Sequence, residues 1–240
     1  MNRQVVQTKD GSSSLFVPEL DEHYHSVHGA LQESQHVFIA AGLQPLIEKS
    51  KSLSLLEVGL GTGLNAWLTL QQAEKAAISI NYHALEKYPV TAREWQQLNY
   101  QQLGKTKMDA TEYLSKIHEA RWESWQSITP HFKLYKQQVD LRQFAASASY
   151  QLIYFDAFAP SAQPELWTAP VFERLYNSLK PNGCLVTYCV KGEVRRNMKA
   201  AGFRVKKNSL AHRVERNGPG LETPLIPLKT NCRRLPANLL

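Results

Sequence analysis

Apolar residues in this chain fall into two kinds of run. Short, nearly unbroken ones at 52–58, 77–85, 131–137, 150–155, 183–190 and 203–208 have the length and composition of strands. Between them, apolar side chains recur at helical spacing over 64–75, 90–98, 110–118, 163–179 and 193–201, with a short helix at 141–148. Within the first of these, Trp67, Leu68 and Leu70 are core candidates, and Pro89 marks the entry of the second. The first fifty residues differ: a Ser/Gly turn at 11–14 and Phe16-Val17-Pro18 predict a brief β excursion, and the spacing of Leu31, Val37 and Ile39 predicts one helix over 28–43. Strands alternating with helices predict an α/β protein with a doubly wound, mainly parallel sheet covered on both faces. Ligands of such sheets sit beyond the carboxyl ends of the strands. The pattern divides the chain into an extension at 1–50, a main domain at 51–216 and a tail at 217–240 that lacks periodicity.

Composition narrows the class. With 240 residues, 43% of them hydrophobic and 20% charged, the chain is expected to fold by itself around a single core. No stretch approaches 18 consecutive apolar residues, and the polar start has no apolar core of a secretory signal, so neither a membrane span nor secretion is expected. Cys184, Cys189 and Cys232 are too few and too clustered for a disulfide framework, which fits a reduced, cytoplasmic setting. The net charge of +7 is concentrated between Lys191 and Arg216, where nine basic residues face two acidic ones. Such a segment attracts a polyanion, and nucleic acid is the natural partner; the alternative is a solvated face of scattered Lys and Arg.

The chemistry gathers at three strand ends. The first strand runs into Gly59-Leu60-Gly61-Thr62-Gly63, a turn whose glycines let a ligand approach the N–H groups that open the next helix. Its spacing lacks the third glycine of the dinucleotide fingerprint, which would stand at Leu64, and no Lys-Ser/Thr follows, so NAD and nucleoside triphosphates are disfavoured. Glu86 closes the second strand, where a carboxylate can accept two hydrogen bonds from ribose hydroxyls. Asp140 follows the third, placed to face an adenine edge or to cap the next helix. The fourth ends in Asp156-Ala157-Phe158-Ala159-Pro160, and Asp156 is the first candidate for chemistry: a carboxylate there can orient an attacking N–H group while Phe158 and Pro160 shape a dry slot. Its alternative role is to brace the next helix.

Taken together, Glu57 to Asn65, Glu86-Lys87, and Asp156 to Pro160 with Pro164-Glu165-Leu166-Trp167 resemble S-adenosylmethionine-dependent methyltransferases. More narrowly, they are similar to the methyltransferase module of the bifunctional MnmC proteins and its stand-alone MnmD-like relatives, over about residues 10–215. The resemblance implies a Rossmann-like fold with a seven-stranded sheet, S-adenosyl-L-methionine as cofactor, and methylation of the 5-aminomethyl group on a tRNA wobble uridine. It further implies that Glu57, Gly59, Gly61 and Gly63 hold the methionine part, Glu86 the ribose and Asp140 the adenine side, with Asn65, Lys87 and Leu141 also binding the cofactor and Tyr24 flanking the pocket. Asp156 would meet the acceptor amine, Phe158, Pro160 and Trp167 the base, and Arg195 and Arg196 the anticodon loop. Relatives end in Gly-Pro-Pro-Gly-Lys-Arg-Glu before a last strand, whereas Asn217-Gly218-Pro219-Gly220-Leu221 departs from that pattern. The bifunctional relatives also carry a flavin oxidase domain, for which this length leaves no room, so a separate partner is expected to supply the aminomethyl precursor.

Other signals carry less. His23, His25 and His28 cluster without a cysteine or a His-x-x-x-His pair, so no metal is expected. Trp95, Trp122 and Trp125 read as packing residues, and Cys184 and Cys189, on opposite faces of one predicted strand, receive no role. Two rival readings stand beside the first: methyl or aminopropyl transfer to a small amine, and an RNA-binding adaptor with a degenerate cofactor site.

Overall fold

The computed structural model describes residues 1–100, 110–205 and 212–216. The chain opens with strands β1 (Gln4–Gln7), β2 (Ser13–Val17) and β3 (Glu22–His23), which form a three-stranded antiparallel sheet. Helix α1 (Ala30–Ser34) continues through a π-wound stretch, Gln35–Leu43, into α2 (Gln44–Ile47). The wider winding buries Val37, Phe38 and Ile39 in succession, which an ideal 3.6-residue repeat would not.

Strands β4 (Ser52–Val58), β5 (Ser79–Glu86), β6 (Gln126–Thr129), β7 (Phe132–Gln138), β8 (Tyr150–Phe155), β9 (Leu179–Thr187), β10 (Arg204–Val205) and β11 (His212–Glu215) form one sheet in the order β10-β11-β9-β8-β4-β5-β7-β6. The five central strands pair in parallel. The chain leaves β4 toward β5 and β7, then returns to lay β8 on the other side of β4, so the strand order reverses between β4 and β8 and opens a crevice at their carboxyl ends.

Helices α3 (Leu64–Ala76), α4 (Ala92–Trp95), α5 (Ala110–Glu119), α6 (Ala169–Ser178) and α7 (Gly192–Ala200) complete the fold. Consecutive β4 residues divide between two cores: Leu53 and Leu55 join Trp67, Tyr82 and Tyr154 on one face, while Leu56 and Val58 join Ile153, Phe172 and Met198 on the other. A strand buried on both faces reads as an unbroken apolar run, the pattern that marked it in sequence.

The α/β class and mainly parallel sheet agree with the sequence; the strand count does not. The sheet has eight strands among the described residues, because β6 folds back on β7 across Pro130-His131. β6 has no regular alternation to announce it. The predicted helix at 90–98 shrinks to α4, opened by a capping box in which Thr91 and Glu94 bond each other's backbone. That at 141–148 is one 3-10 turn, Leu141–Gln143. The strand predicted at 183–190 begins earlier and ends at Thr187, so Cys189 lies beyond it. The tail at 217–240, with Cys232, lies outside the described residues, as does the second half of the strand predicted at 203–208. No helix among the described residues is long and apolar enough to cross a membrane.

Candidate active site

A cavity of about 420 Å³ opens at the crevice beside β4. That lies within the range of about 300–1,000 Å³ usual for small-molecule sites. Its floor is the turn after β4. Gly59 holds φ at 87°, and a Cβ there would stand 2.6 Å from the carbonyl oxygen of Asp156, so only glycine lets the first and fourth strand ends meet. At Gly61 a Cβ would press on the Tyr24 ring at 2.9 Å. Gly63 opens α3 and does not line the cavity.

One end of the cavity is polar and tied to backbone. Glu86 accepts the N–H of Gly61 at 3.0 Å on one oxygen and that of Tyr88 at 2.8 Å on the other, which leaves each oxygen a lone pair. Asp140 pairs with Lys87 at 3.0 Å and with Arg142 at 2.6 Å, and it caps the 3-10 turn through the Arg142 N–H. The Arg142 guanidinium, then Lys87, hold its carboxyl well below the usual carboxylate range. Asp140 thus fills the capping role and still lines the cavity, beside Leu141.

At the other end Asp156 follows β8. Asn65 Nδ2 donates to its Oδ2 at 2.8 Å. Burial pushes the Asp156 carboxyl well above its ordinary range, and nearby Glu33 pushes the same way, against the pull of Asn65. Phe158 forms the adjoining wall and meets Tyr24 edge to face, ring centres 5.0 Å apart. The Tyr188 hydroxyl donates to the Ala157 carbonyl at 2.9 Å and fixes the same turn.

Several expected site residues sit elsewhere. Glu57 does not line the cavity: it is fully buried behind the turn beside Tyr82 and Asn65, and burial raises its carboxyl well above the ordinary range. Alternation explains this, since the side chain of a residue within β4 points into a core rather than off the strand end. Asn65 lines the cavity, and its Nδ2 is taken up in orienting Asp156. Trp167 is only 2% exposed, with its indole N–H donating to the Phe158 carbonyl at 2.8 Å and its ring against Phe155 and Tyr188. It braces the wall from behind and offers no face to a base. Pro160 lies outside the lining, and so do Arg195 and Arg196 on α7, the first half-buried and the second exposed.

Other residues enter that sequence alone did not single out. Arg3 Nε donates to the Tyr24 hydroxyl at 2.7 Å, while its guanidinium reaches Glu94 at 3.2 Å and the Tyr88 carbonyl, tying the N-terminal segment to the loop after β5. A lone arginine whose partners lie more than twenty residues away leaves no local signal. His23 and His25 line the cavity; His25 contacts the Ser14 hydroxyl at 3.2 Å, and burial lowers its pKa to about 4, which keeps it neutral. His28 does not line it, and among the described residues no three metal-ligating side chains gather. Trp95 stacks on His118 at 5.0 Å and Trp122 lies under the Lys136 ammonium at 4.7 Å, whereas Trp125 is 51% exposed and so is not the packing residue expected. Cys184 and Cys189 are both buried.

The cavity fits an S-adenosylmethionine-like ligand: a glycine cradle that a Cβ would fill, carboxylates for a sugar at one end, and a partly dry acidic pocket at the other. Comparison with known proteins agrees. A family described as S-adenosyl-L-methionine-dependent methyltransferase matches residues 112–216. The chain is 27% identical over 207 residues to the tRNA 5-methylaminomethyl-2-thiouridine biosynthesis bifunctional protein MnmC of Cupriavidus necator, covering 80% of this chain and 30% of that protein. The protein of the same name from Leptospira borgpetersenii is 29% identical over 205 residues, covering 78% and 30%. The chain therefore spans under a third of the length of these relatives. Among solved structures, MnmC2 from Aquifex aeolicus superposes with a TM-score of 0.75 at 22% identity, covering 91% of this chain and 71% of that one, which establishes the shared fold.

Proposed function

We propose that this chain, an MnmC-like S-adenosylmethionine-dependent methyltransferase, methylates the amine of a 5-aminomethyl group on the wobble uridine of tRNA, giving 5-methylaminomethyl(-2-thio)uridine. The observation that carries the reading is the convergence, in one cavity, of the Gly59–Gly61 turn and the carboxylate of Asp156. S-adenosylmethionine supplies an activated methyl group, and displacement at that carbon requires an in-line nucleophile and little water. Gly59 and Gly61 cradle the cofactor, Glu86 takes its ribose, and Asp140 with Leu141 faces its adenine. Asp156, held by Asn65, accepts an N–H from the substrate amine and aims its lone pair. Phe158 and Tyr24 close the slot around the extruded base. An anticodon loop is already single-stranded, so extrusion requires little unstacking.

Arg195, Arg196 and Lys199 lie together on α7 and are placed to meet the phosphates of the anticodon stem and loop. The substrate reaches the site already aminomethylated, and a set of three cysteines, too few for a disulfide framework, fits a cytoplasmic protein.

The direct test is mass spectrometry of wobble nucleosides from cells with and without the gene. The aminomethyl precursor is expected to accumulate in the deletion and to disappear on complementation; an unchanged nucleoside profile refutes the reading. A second expectation concerns the basic helix. Arg195→Glu with Arg196→Glu weakens tRNA binding about tenfold or more at low salt and reduces the slope of log affinity against log salt by about two, one unit for each phosphate no longer neutralised. Filter binding across a salt series measures both, and an unchanged slope removes α7 from the interface.

A further inference from the structure

A primary alkylamine resembles a lysine side chain and is protonated at neutral pH, yet only the free base can attack. Asp156 orients the amine; the group that takes its proton is the missing part of the reaction. Glu33, on α1, lines the same cavity, and its Oε2 accepts the Ser26 N–H at 2.8 Å. It forms no ion pair among the described residues. It lies close enough to Asp156 to perturb it, and Tyr188 feels Asp156, Glu22 and Glu33 together. Burial, opposed by the Ser26 N–H, raises the Glu33 carboxyl above its ordinary range.

Apart from the amino terminus at Met1, the surroundings are short of cations. The N-terminal segment contributes Glu22, His23, Tyr24 and His25 to the lining, and Asp156 and Tyr188 join it just after β8 and β9. Asp10, in the turn between β1 and β2, is engaged by Thr8, Ser12 and the Gln32 N–H of α1. Lys87 is the one Lys or Arg that lines the cavity among the described residues, and it is paired with Asp140 at the opposite end. A separate observation also points to a missing donor: Asn65, 3% exposed and lining the cavity, has its Oδ1 buried with no hydrogen-bond partner. An ammonium carries three N–H donors and a positive charge, and it matches this set of acceptors.

We infer that Glu33 is a second catalytic carboxylate, which together with Asp156 binds the substrate as an ammonium and accepts the proton the amine loses before attack. The inference rests on the aminomethyl reading above and names its proton acceptor. Atoms and electrons balance. An N–H bond breaks and the proton passes to the Glu33 carboxylate; the freed lone pair forms the N–C bond as the C–S bond breaks, with that bond's electrons left on sulfur. The product is a secondary ammonium, and the Glu33 carboxyl then returns its proton to water.

Two measurements test this. In single turnover on tRNA bearing 5-aminomethyluridine, the wild-type rate is expected to level off with rising pH once Glu33 is ionised, although the amine in solution is still protonated. Glu33→Gln is expected to be about 100-fold slower at pH 7 and to gain tenfold per pH unit toward pH 9, as free amine forms in solution, while Glu33→Asp recovers part of the plateau. Independently of the cofactor, protein without S-adenosylmethionine is expected to bind that tRNA about tenfold more tightly than the same tRNA with unmodified uridine at pH 7, and Glu33→Gln to bring the ratio below about twofold. A Glu33→Gln profile parallel to the wild type, or an unchanged binding ratio, overturns the assignment while leaving the methylation itself intact. Wild-type protein unable to methylate the aminomethyl tRNA refutes the function and this inference with it. Should Glu33→Gln fail to fold, the wild-type profile decides: a plateau supports the assignment, and a tenfold rise per pH unit through pH 9 overturns it.

Discussion

Asp156→Ala is expected to slow single-turnover methylation of aminomethyl tRNA about 10³-fold while changing the Kd for S-adenosylmethionine less than about threefold. The carboxylate stands at the acidic end of the cavity, away from the Glu86 and Asp140 end that would hold nucleoside. Its loss therefore removes orientation and charge where the amine reacts and little that binds cofactor. Asn65 loses its acceptor in the same variant, so Asp156→Asn, which keeps an oxygen for the Asn65 N–H, separates the two effects. Asn at this position is expected to stay more than tenfold below wild type because the negative charge is gone. Rapid-quench kinetics with isothermal titration of the cofactor measures both quantities; a single-turnover rate near wild type for the alanine variant removes Asp156 from the chemistry.

Gly59→Ala is expected to produce the opposite split, with cofactor Kd rising about 100-fold or more. A methyl group at φ 87° is strained by itself and also meets the Asp156 carbonyl oxygen, a backbone atom fixed by β8, at 2.6 Å. Strain of this kind amounts to about 1–3 kcal/mol. In a chain of this size that lowers Tm by roughly 2–12 °C. To relieve the contact, the ends of β4 and β8 must separate, although the Asp156 N–H donates to the Val58 carbonyl at 3.0 Å and the Gly59 N–H to the Leu85 carbonyl at 2.9 Å. The cradle opens and its glycines no longer present the ligand with the same surface. Titration calorimetry with a thermal melt tests it; cofactor affinity within threefold of wild type shows that the two strand ends tolerate separation.

The two substitutions probe different kinds of legibility. Gly59 stood out in sequence because alternate glycines after an apolar strand have few uses, and the structure shows the contact that demands one. Asp156 stood out because an acid at the end of a strand, before Ala-Phe-Ala-Pro, gains little from solubility. Both signals are local, confined to residues within a few positions of each other. Glu57 misled for the same reason: it belongs to the same local pattern, but strand alternation turns it into the core rather than toward the cavity. Trp167 belonged to the most specific stretch of the resemblance, and its pattern carries no record of whether a ring faces a ligand or supports the wall behind one.

Glu33, Arg3 and Tyr188 lie outside that local grammar. Glu33 sits in a helix whose π-wound continuation obscures the amphipathic repeat, and it reaches the cavity only because that helix packs beside the ends of β8 and β9. Arg3 gains its role from Tyr24, Tyr88 and Glu94, up to 91 positions away.

The sequence by itself determined the alternating strands and helices, the glycine turn and the acids at strand ends, because backbone stereochemistry and burial act over a few residues and leave periodic traces. Only the tertiary structure decided which carboxylates share the cavity, which aromatic rings face it, and that an N-terminal helix completes its acidic end. Those are matters of distance between remote segments, and electrostatic and steric contact depends on distance in space, on which separation along the chain is silent.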